Sequence, residues 1–232
     1  MKKVITFTDT SGAISQDFYP KPASDCIPSW YKEMSSYKFG KKEVYRDGFT
    51  PQTIKRCMPV FDAFTAGYIL FTYVDIYIRT EDGAPYYTWP SFKPIEFHDN
   101  AQFDKYPRAG EKFSAPKWVS PWSIKTPKGY SSLILPPIHQ DTVPFEILEG
   151  LVDTDVYNIP VNFPFFLKDN NFNGLIPAGT PMAQIIPIKR DNWEHEIGNT
   201  IEKEEQGKQH LRLKTKFFDS YKTLFRMPKE YK

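Results

Sequence analysis

Apolar residues in this chain fall into short blocks divided by turn formers. Tyr130–Leu135, Phe145–Val152, Val161–Leu167 and Met182–Ile188 are each rich in β-branched or aromatic types, with Pro, Asp, Asn and Gly between them. Blocks of this length and make-up predict strands. A longer apolar block runs from Tyr68 to Ile78 and predicts a buried strand, or a strand pair with a turn at Ala66-Gly67. Glu81-Asp82-Gly83-Ala84-Pro85 reads as a turn. The proline-broken YYTWPSFKPIEF that follows reads as extended chain at a sheet edge, because proline cannot donate to a ladder. Val4–Phe7 predicts one more strand near the start.

Helical patterning is confined to two places. Asp25 precedes IPSWYKEMSSYK, and an acidic cap followed by Pro28 predicts a helix near 27–38, with Trp30, Met34 and Tyr37 on one side. After Arg190 the chain becomes rich in charge and helix formers. Asn199 or Thr200 would cap this stretch, and Glu202, Glu204 and Glu205 would lie where the helix dipole favours acid. Leu211, Leu213, Phe217, Phe218, Tyr221 and Phe225 would supply its apolar side. The expected organisation is a single β-rich domain over 1–190 and a charged helical extension over 191–232. The fold class is mainly β: a sandwich, jelly roll or barrel with an N-terminal and a C-terminal helix.

Composition narrows this picture. The chain has 232 residues, enough for one large β domain or two small ones. Its 19 Phe, 14 Tyr and 5 Trp suit pleated, half-buried surfaces, and 21 Pro argue against long helices. A formal charge of +2 gives no general attraction to nucleic acid. Cys26 and Cys57 form no Cys-x-x-Cys pair, so a thiolate zinc site is not expected. The segment MKKVITFTDTSG lacks an apolar stretch of signal-peptide length, and no run approaches a membrane span. These features predict a cytoplasmic location with reduced thiols and no membrane partner.

The most chemical stretch is GLVDTDVYNIPVNFPFFLKDNNFNGLIPAGTPMAQIIPI, residues 150–188. Asp153 and Asp155 would share one face of a strand, where two carboxylates repel and need a cation, a donor network or solvent. One reading is a site that orients water or binds Mg²⁺ with substrate phosphates. The other is a strand end with Thr154 facing inward.

The order of this stretch resembles the third and fourth motifs of the trimeric dUTPase and dCTP deaminase superfamily. Ala66-Gly67-Tyr68-Ile69-Leu70 resembles the first motif, and Gly129-Tyr130-Ser131-Ser132-Leu133 the second. The resemblance implies a β-clip or jelly-roll core and assembly as a trimer. It makes Asp153 the water-activating acid and Ser131, beside Ser132, a phosphate contact. Met182-Ala183-Gln184 stands at the fourth motif, which makes Gln184 a ligand contact, and Tyr157 lies one step from the tyrosine that stacks under deoxyribose. The pattern also departs from the family. Ile69 stands at the metal-linked acid, Tyr130 at the phosphate arginine and Val156 at the stacking tyrosine, and the glycine-rich fifth motif is absent. More broadly, KRCMPV…GYIL, GYSSLILPP, GLVDTD and PAGTPMAQIIPIKRDNWE resemble a domain-of-unknown-function family of phages and bacteria, which implies a phage-encoded protein.

His139-Gln140-Asp141 is a His-x-Asp, the proximal half of the iron site of 2-oxoglutarate-dependent oxygenases. His195 would be the distal ligand, with only Lys203 near the position of the arginine expected beyond it. Trp118 and Trp122 with Lys117, Lys125 and Lys128 form a basic aromatic segment of the kind that stacks a base or sugar. Two function classes follow. The first is a non-catalytic binding or structural protein on a dUTPase-like fold, without a cofactor, self-associating and open to a nucleotide or small ligand. The second is a nucleotide hydrolase or deaminase-like enzyme using Mg²⁺, with the iron oxygenase as a minor variant.

Overall fold

The computed structural model describes residues 3–38, 40, 51–106, 115–198, 203–215 and 220–232. Their contacts form two compact units. One joins 1–26 with 67–190, and the other joins 27–66 with 191–232. The division therefore does not follow a single boundary near Arg190, because the segment containing the predicted N-terminal helix groups with the C-terminal extension.

The first unit is built from antiparallel strands, as the short apolar blocks predict. In chain order these are β1 (Thr6–Asp9), β2 (Lys21–Pro22), β3 (Tyr68–Phe71), β4 (Ile76–Glu81), β5 (Ala84–Thr88), β6 (Ile95–Phe97) and β7 (Pro116–Trp118). They continue with β8 (Trp122–Lys125), β9 (Tyr130–Leu135), β10 (Phe145–Ile147), β11 (Gly150–Val152), β12 (Phe163–Leu167), β13 (Gly174–Ile176) and β14 (Pro181–Lys189). The largest sheet runs β11-β9-β14-β3-β2. A second runs β10-β12-β7-β6, a third β13-β4-β5, and β1 pairs with β8. This mainly β architecture is consistent with the β-clip or jelly-roll core that the sequence implies.

Burial follows strand position. In β4, Ile76 and Ile78 are buried while Tyr77 and Arg79 are exposed, the alternation of a strand with one face covered. In β14, held between β9 and β3, Met182 through Ile185 are all buried. At the centre of the core the Trp118 indole stacks on Phe165 with centroids 4.5 Å apart, and Phe145 leans on both rings. Burial of one such ring stabilises by roughly 1.5–3 kcal/mol. Trp118 and Trp122 are thus core residues, so the basic aromatic segment offers no free ring for stacking a base.

Turn chemistry fixes the connections. Asp82 and Gly83 join β4 to β5 with φ of 51° and 78°, and Glu81 faces Ala84 across the ladder. Two left-handed residues in a two-residue loop match the strand twist. β5 and β6, which hold the two ends of the proline-broken stretch 86–97, both lie at sheet edges, as those prolines predict. The break in the Tyr68–Ile78 block comes at Thr72–Asp75, after the Ala66-Gly67 turn. There Thr72 Oγ1 donates to the Pro177 carbonyl at 2.8 Å, and Asp75 Oδ1 accepts the Ala178 amide at 2.8 Å.

The second unit carries the helices α1 (Ser29–Glu33), α2 (Met58–Phe64), α3 (Lys203–Thr215) and α4 (Ser220–Leu224). The helix expected near 27–38 is reduced to α1. Asp25 lies in a 3-10 turn rather than at the cap; Pro28 is the N-cap, without a side-chain bond, and the chain turns extended at Met34. Helix α2 falls in 53–66, a stretch to which the sequence pattern assigns no element. Its Pro59 sits in the first turn, where a missing N–H costs nothing. The Tyr31 ring packs 4.6 Å from Phe64, and its hydroxyl donates to the Lys55 carbonyl at 3.2 Å. Asp62 on α2 accepts from Arg226 Nε (3.0 Å) and Nη2 (2.7 Å) and from Lys229 Nζ (3.1 Å), which fastens the C-terminal segment to α2. Those bonds, Arg226 foremost, hold the Asp62 carboxyl below its ordinary range. Leu211 and Tyr221 are exposed, and Phe217, Phe218, Asn199, Thr200 and Glu202 lie outside the described residues.

Gly67 opens β3 with φ +71°, and a Cβ there would lie 2.0 Å from the Ile185 carbonyl oxygen. Gly83 is equally left-handed but has open space around it. Gly67→Ala is therefore expected to cost about 3 kcal/mol or more and Gly83→Ala only about 1 kcal/mol, measured by urea unfolding. Equal losses would show that the approach of β14 does not constrain Gly67.

Candidate functional site

The carboxylate turn forms where three strand ends meet. Ser132 faces Val152 on one side and Pro187 on the other, and Ser131 faces Ile188, so β11 ends beside the start of β9 and the end of β14. Past Val152 the chain turns, with the Val156 and Tyr157 amides donating to the Asp153 carbonyl at 3.0 and 2.9 Å. Thr154 points inward and is fully buried. Its hydroxyl lies 2.8 Å from Thr126 Oγ1 and 2.9 Å from Ser132 Oγ. This inward threonine turns Asp153 and Asp155 toward Arg190, the first residue beyond β14.

Arg190 binds both acids. Its Nη1 donates to Asp155 Oδ1 (2.8 Å), Asp153 Oδ1 (3.1 Å) and Ser131 Oγ (3.1 Å), while Nη2 pairs with Asp155 Oδ2. The Gly129 amide adds a bond to Asp155 Oδ2 at 2.8 Å, and the Arg190 amide donates to the Gly129 carbonyl at 2.9 Å. Ser131 Oγ donates to Asp153 Oδ1 at 2.6 Å. A forked guanidinium on a carboxylate is the strong form of this contact. The Asp155 side chain is 4% exposed and that of Asp153 60%. The Arg190 bonds, followed by the Gly129 amide, lower the Asp155 carboxyl from 3.8 to about 2. Asp155 in turn raises Arg190.

The sequence candidates separate into three groups. Ser131, Asp153 and Asp155 come together. Ser132 lies next to them but is committed inward to Thr154, and the Tyr157 side chain is exposed on the outer side of the turn. Gln184 is elsewhere: it pairs with Leu135 while Ser131 pairs with Ile188, four residues along β14, or about 13 Å. Buried at 1% exposure, its Oε1 accepts the Ile138 amide at 3.0 Å. His139 and Asp141 lie in the turn after β9, where His139 has φ 55°. Among the described residues no group of three or more His, Cys, Asp or Glu is placed to hold a metal ion. Among them, too, no helix is long and apolar enough to cross a membrane.

Arg190 is the residue of the candidate site that sequence reading missed. It stands 35 positions from Asp155, and only the β14–β9 register brings it to the turn. The available signal was its place at the end of the last apolar block, at the far end of a strand predicted to share a sheet with 130–135.

No protein-family model matches the chain, and no curated protein matches it. The similarity to a phage and bacterial domain family thus rests on the sequence patterns alone. Among solved structures the chain is similar to a mutant dUTPase of Staphylococcus bacteriophage 80alpha with dUpNHpp, at a TM-score of 0.34 and 11% identity, over 85% of this chain and 88% of that one.

The depressed Asp155 carboxyl sets a pH window. A lowered folded-state pKa stabilises above the unfolded value of 3.8, and that stabilisation disappears as pH falls through about 2. Asp155→Asn is therefore expected to be less stable than the native chain at neutral pH. Its deficit should shrink below about pH 4 and vanish near pH 2, followed by urea midpoints across that range. A deficit that does not change with pH would show that the ion pair is not its source.

Proposed function

We propose that this chain is a non-catalytic binding or structural protein, and that the Asp153–Asp155 turn is a structural pin rather than a hydrolytic centre. The observation that carries this reading is the engagement of Asp155 by both Arg190 nitrogens and the Gly129 amide. A carboxylate so occupied has little left to offer a hard cation, which needs several free oxygen ligands. The residues around it agree. Ile69 is buried in β3 and Tyr130 carries Lys3 over its ring at 4.6 Å, so neither supplies an acid or a guanidinium to a phosphate. The patterns in the sequence favour a phage-encoded protein.

The runner-up is a nucleotide hydrolase or deaminase-like enzyme. The Ser131–Asp153 bond and the exposure of Asp153 favour it, since an exposed carboxylate within reach of a hydroxyl can hold a water. In that case Mg²⁺ would arrive with the substrate phosphates.

Self-association, as a trimer, belongs to the proposed reading. β11 is an edge strand, and Leu151 on it and Val156 in the turn beyond it are exposed apolar residues. Such a patch is reason to look for a partner surface.

Pyrophosphate release from dUTP and dCTP with Mg²⁺ present is expected to stay at background. Groups that stabilise transition-state charge are commonly worth about 2.7–4 kcal/mol each, and the positions of two carry Ile69 and Tyr130. Turnover of about 1 s⁻¹ or more that Asp153→Asn abolishes would establish the enzyme instead. Light scattering on the same sample should give about three times 27.1 kDa; a mass of 27.1 kDa would remove the trimer.

A further inference from the structure

A second feature lies away from the carboxylate turn. Beyond the end of β1, a cavity of about 470 Å³ opens between the β7–β8 connection and residues 159–162. Its volume falls within the range of small-molecule sites, roughly 300–1,000 Å³. Tyr73 forms part of its lining, with its hydroxyl donating to the Val119 carbonyl at 3.0 Å. Ile159 and Pro160 make another wall, and Phe92 and Lys93 complete it.

Three observations point to a ligand and to its chemistry. Phe92 has φ 48° and stands 59% exposed. A large side chain in the left-handed region is strained, and without burial in return such strain is a mark of function. Its ring and that of Tyr73 line the same space, which suits a flat aromatic guest. The polar groups with capacity to spare are donors. Asn162 Oδ1 accepts the Ser120 amide at 3.2 Å, which leaves the carboxamide NH₂ without a partner among the described residues. Lys93 Nζ contacts Glu96 at 3.2 Å, but Glu96 is shared with Lys117 at 3.4 Å, so this trio carries a surplus positive charge. Nearby, the Thr10 hydroxyl proton is committed to the Pro121 carbonyl, and the Asp9 carboxylate accepts from the Ser11 amide and hydroxyl and the Ile14 amide.

We propose that this cavity binds a planar aromatic ring carrying a carboxylate, with the ring against Phe92 and Tyr73 and the anion held by Lys93 and the Asn162 amide.

The test uses 2-naphthoate and cyclohexanecarboxylate as probes on the full chain, by titration calorimetry and ligand-observed NMR. The expected result is one saturable 2-naphthoate site with Kd on the order of 1 mM or tighter. Amide shifts should centre on Val119 and Ser120. Lys93→Met and Asn162→Leu should each weaken binding about tenfold, and cyclohexanecarboxylate should bind about tenfold more weakly than 2-naphthoate. Lys93 and Asn162 are exposed, and circular dichroism checks that their variants stay folded; if one does not, the shift map of the native chain decides. Four outcomes would overturn the proposal: no saturable binding, shifts centred elsewhere, binding unchanged in both variants, or equal binding of the non-planar acid.

Discussion

Two aspartates two residues apart on one turn are tolerated here because a guanidinium stands between them. Arg190 satisfies Asp155 through two nitrogens, and Asp153 and Ser131 through one of them. Without that cation the carboxylates would repel each other at a point where three strands end. The guanidinium is delivered by the register of β14 on β9, and the inward anchor is Thr154, held by Thr126 and Ser132. Strand pairing, the buried hydroxyl cluster and the ion pair therefore support one another.

The proposed function rests on the same constraint: under it the Arg190 guanidinium stands where a bound cation would otherwise bridge the two carboxylates, and serves structure rather than turnover. The cavity beside Phe92 presents the opposite case. There Phe92 is strained, the Asn162 carboxamide keeps its NH₂, and the Lys93–Glu96–Lys117 trio keeps one positive charge in excess. For a small anionic guest, the spare donor capacity lies at the cavity and not at the turn.

Much of the β framework was legible in the sequence, because aromatic and β-branched blocks between turn formers have few other ways to bury themselves. The four blocks from Tyr130 to Ile188 became β9 to β12 and β14, and the Asp82-Gly83 turn became a two-residue hairpin. Helix α2 was hidden because MPVFDAF is apolar without a polar stripe to reveal its period. The helix near 27–38 was overextended at both ends: its cap signal was read at Asp25, whereas α1 starts after Pro28, and the chain leaves helical geometry at Met34. At the site, Asp153, Asp155 and Ser131 could be read as neighbours through the motif order. Arg190 and Gln184 could not be placed, because strand register decides who meets whom and sequence proximity says nothing about it. Ser131 meets Arg190 at the end of β14, while Gln184 caps a different turn.

The central claim, that Arg190 fills the place of a cation, is tested most directly by Mn²⁺ titration of the native chain and of Arg190→Met, followed by the loss of free-ion signal in electron paramagnetic resonance. The native chain should show no site tighter than about 1 mM, and the variant, with both carboxylates released, should bind at least about tenfold more tightly. Native protein that binds Mn²⁺ as tightly as the variant, with binding lost in Asp153→Asn, would contradict the account.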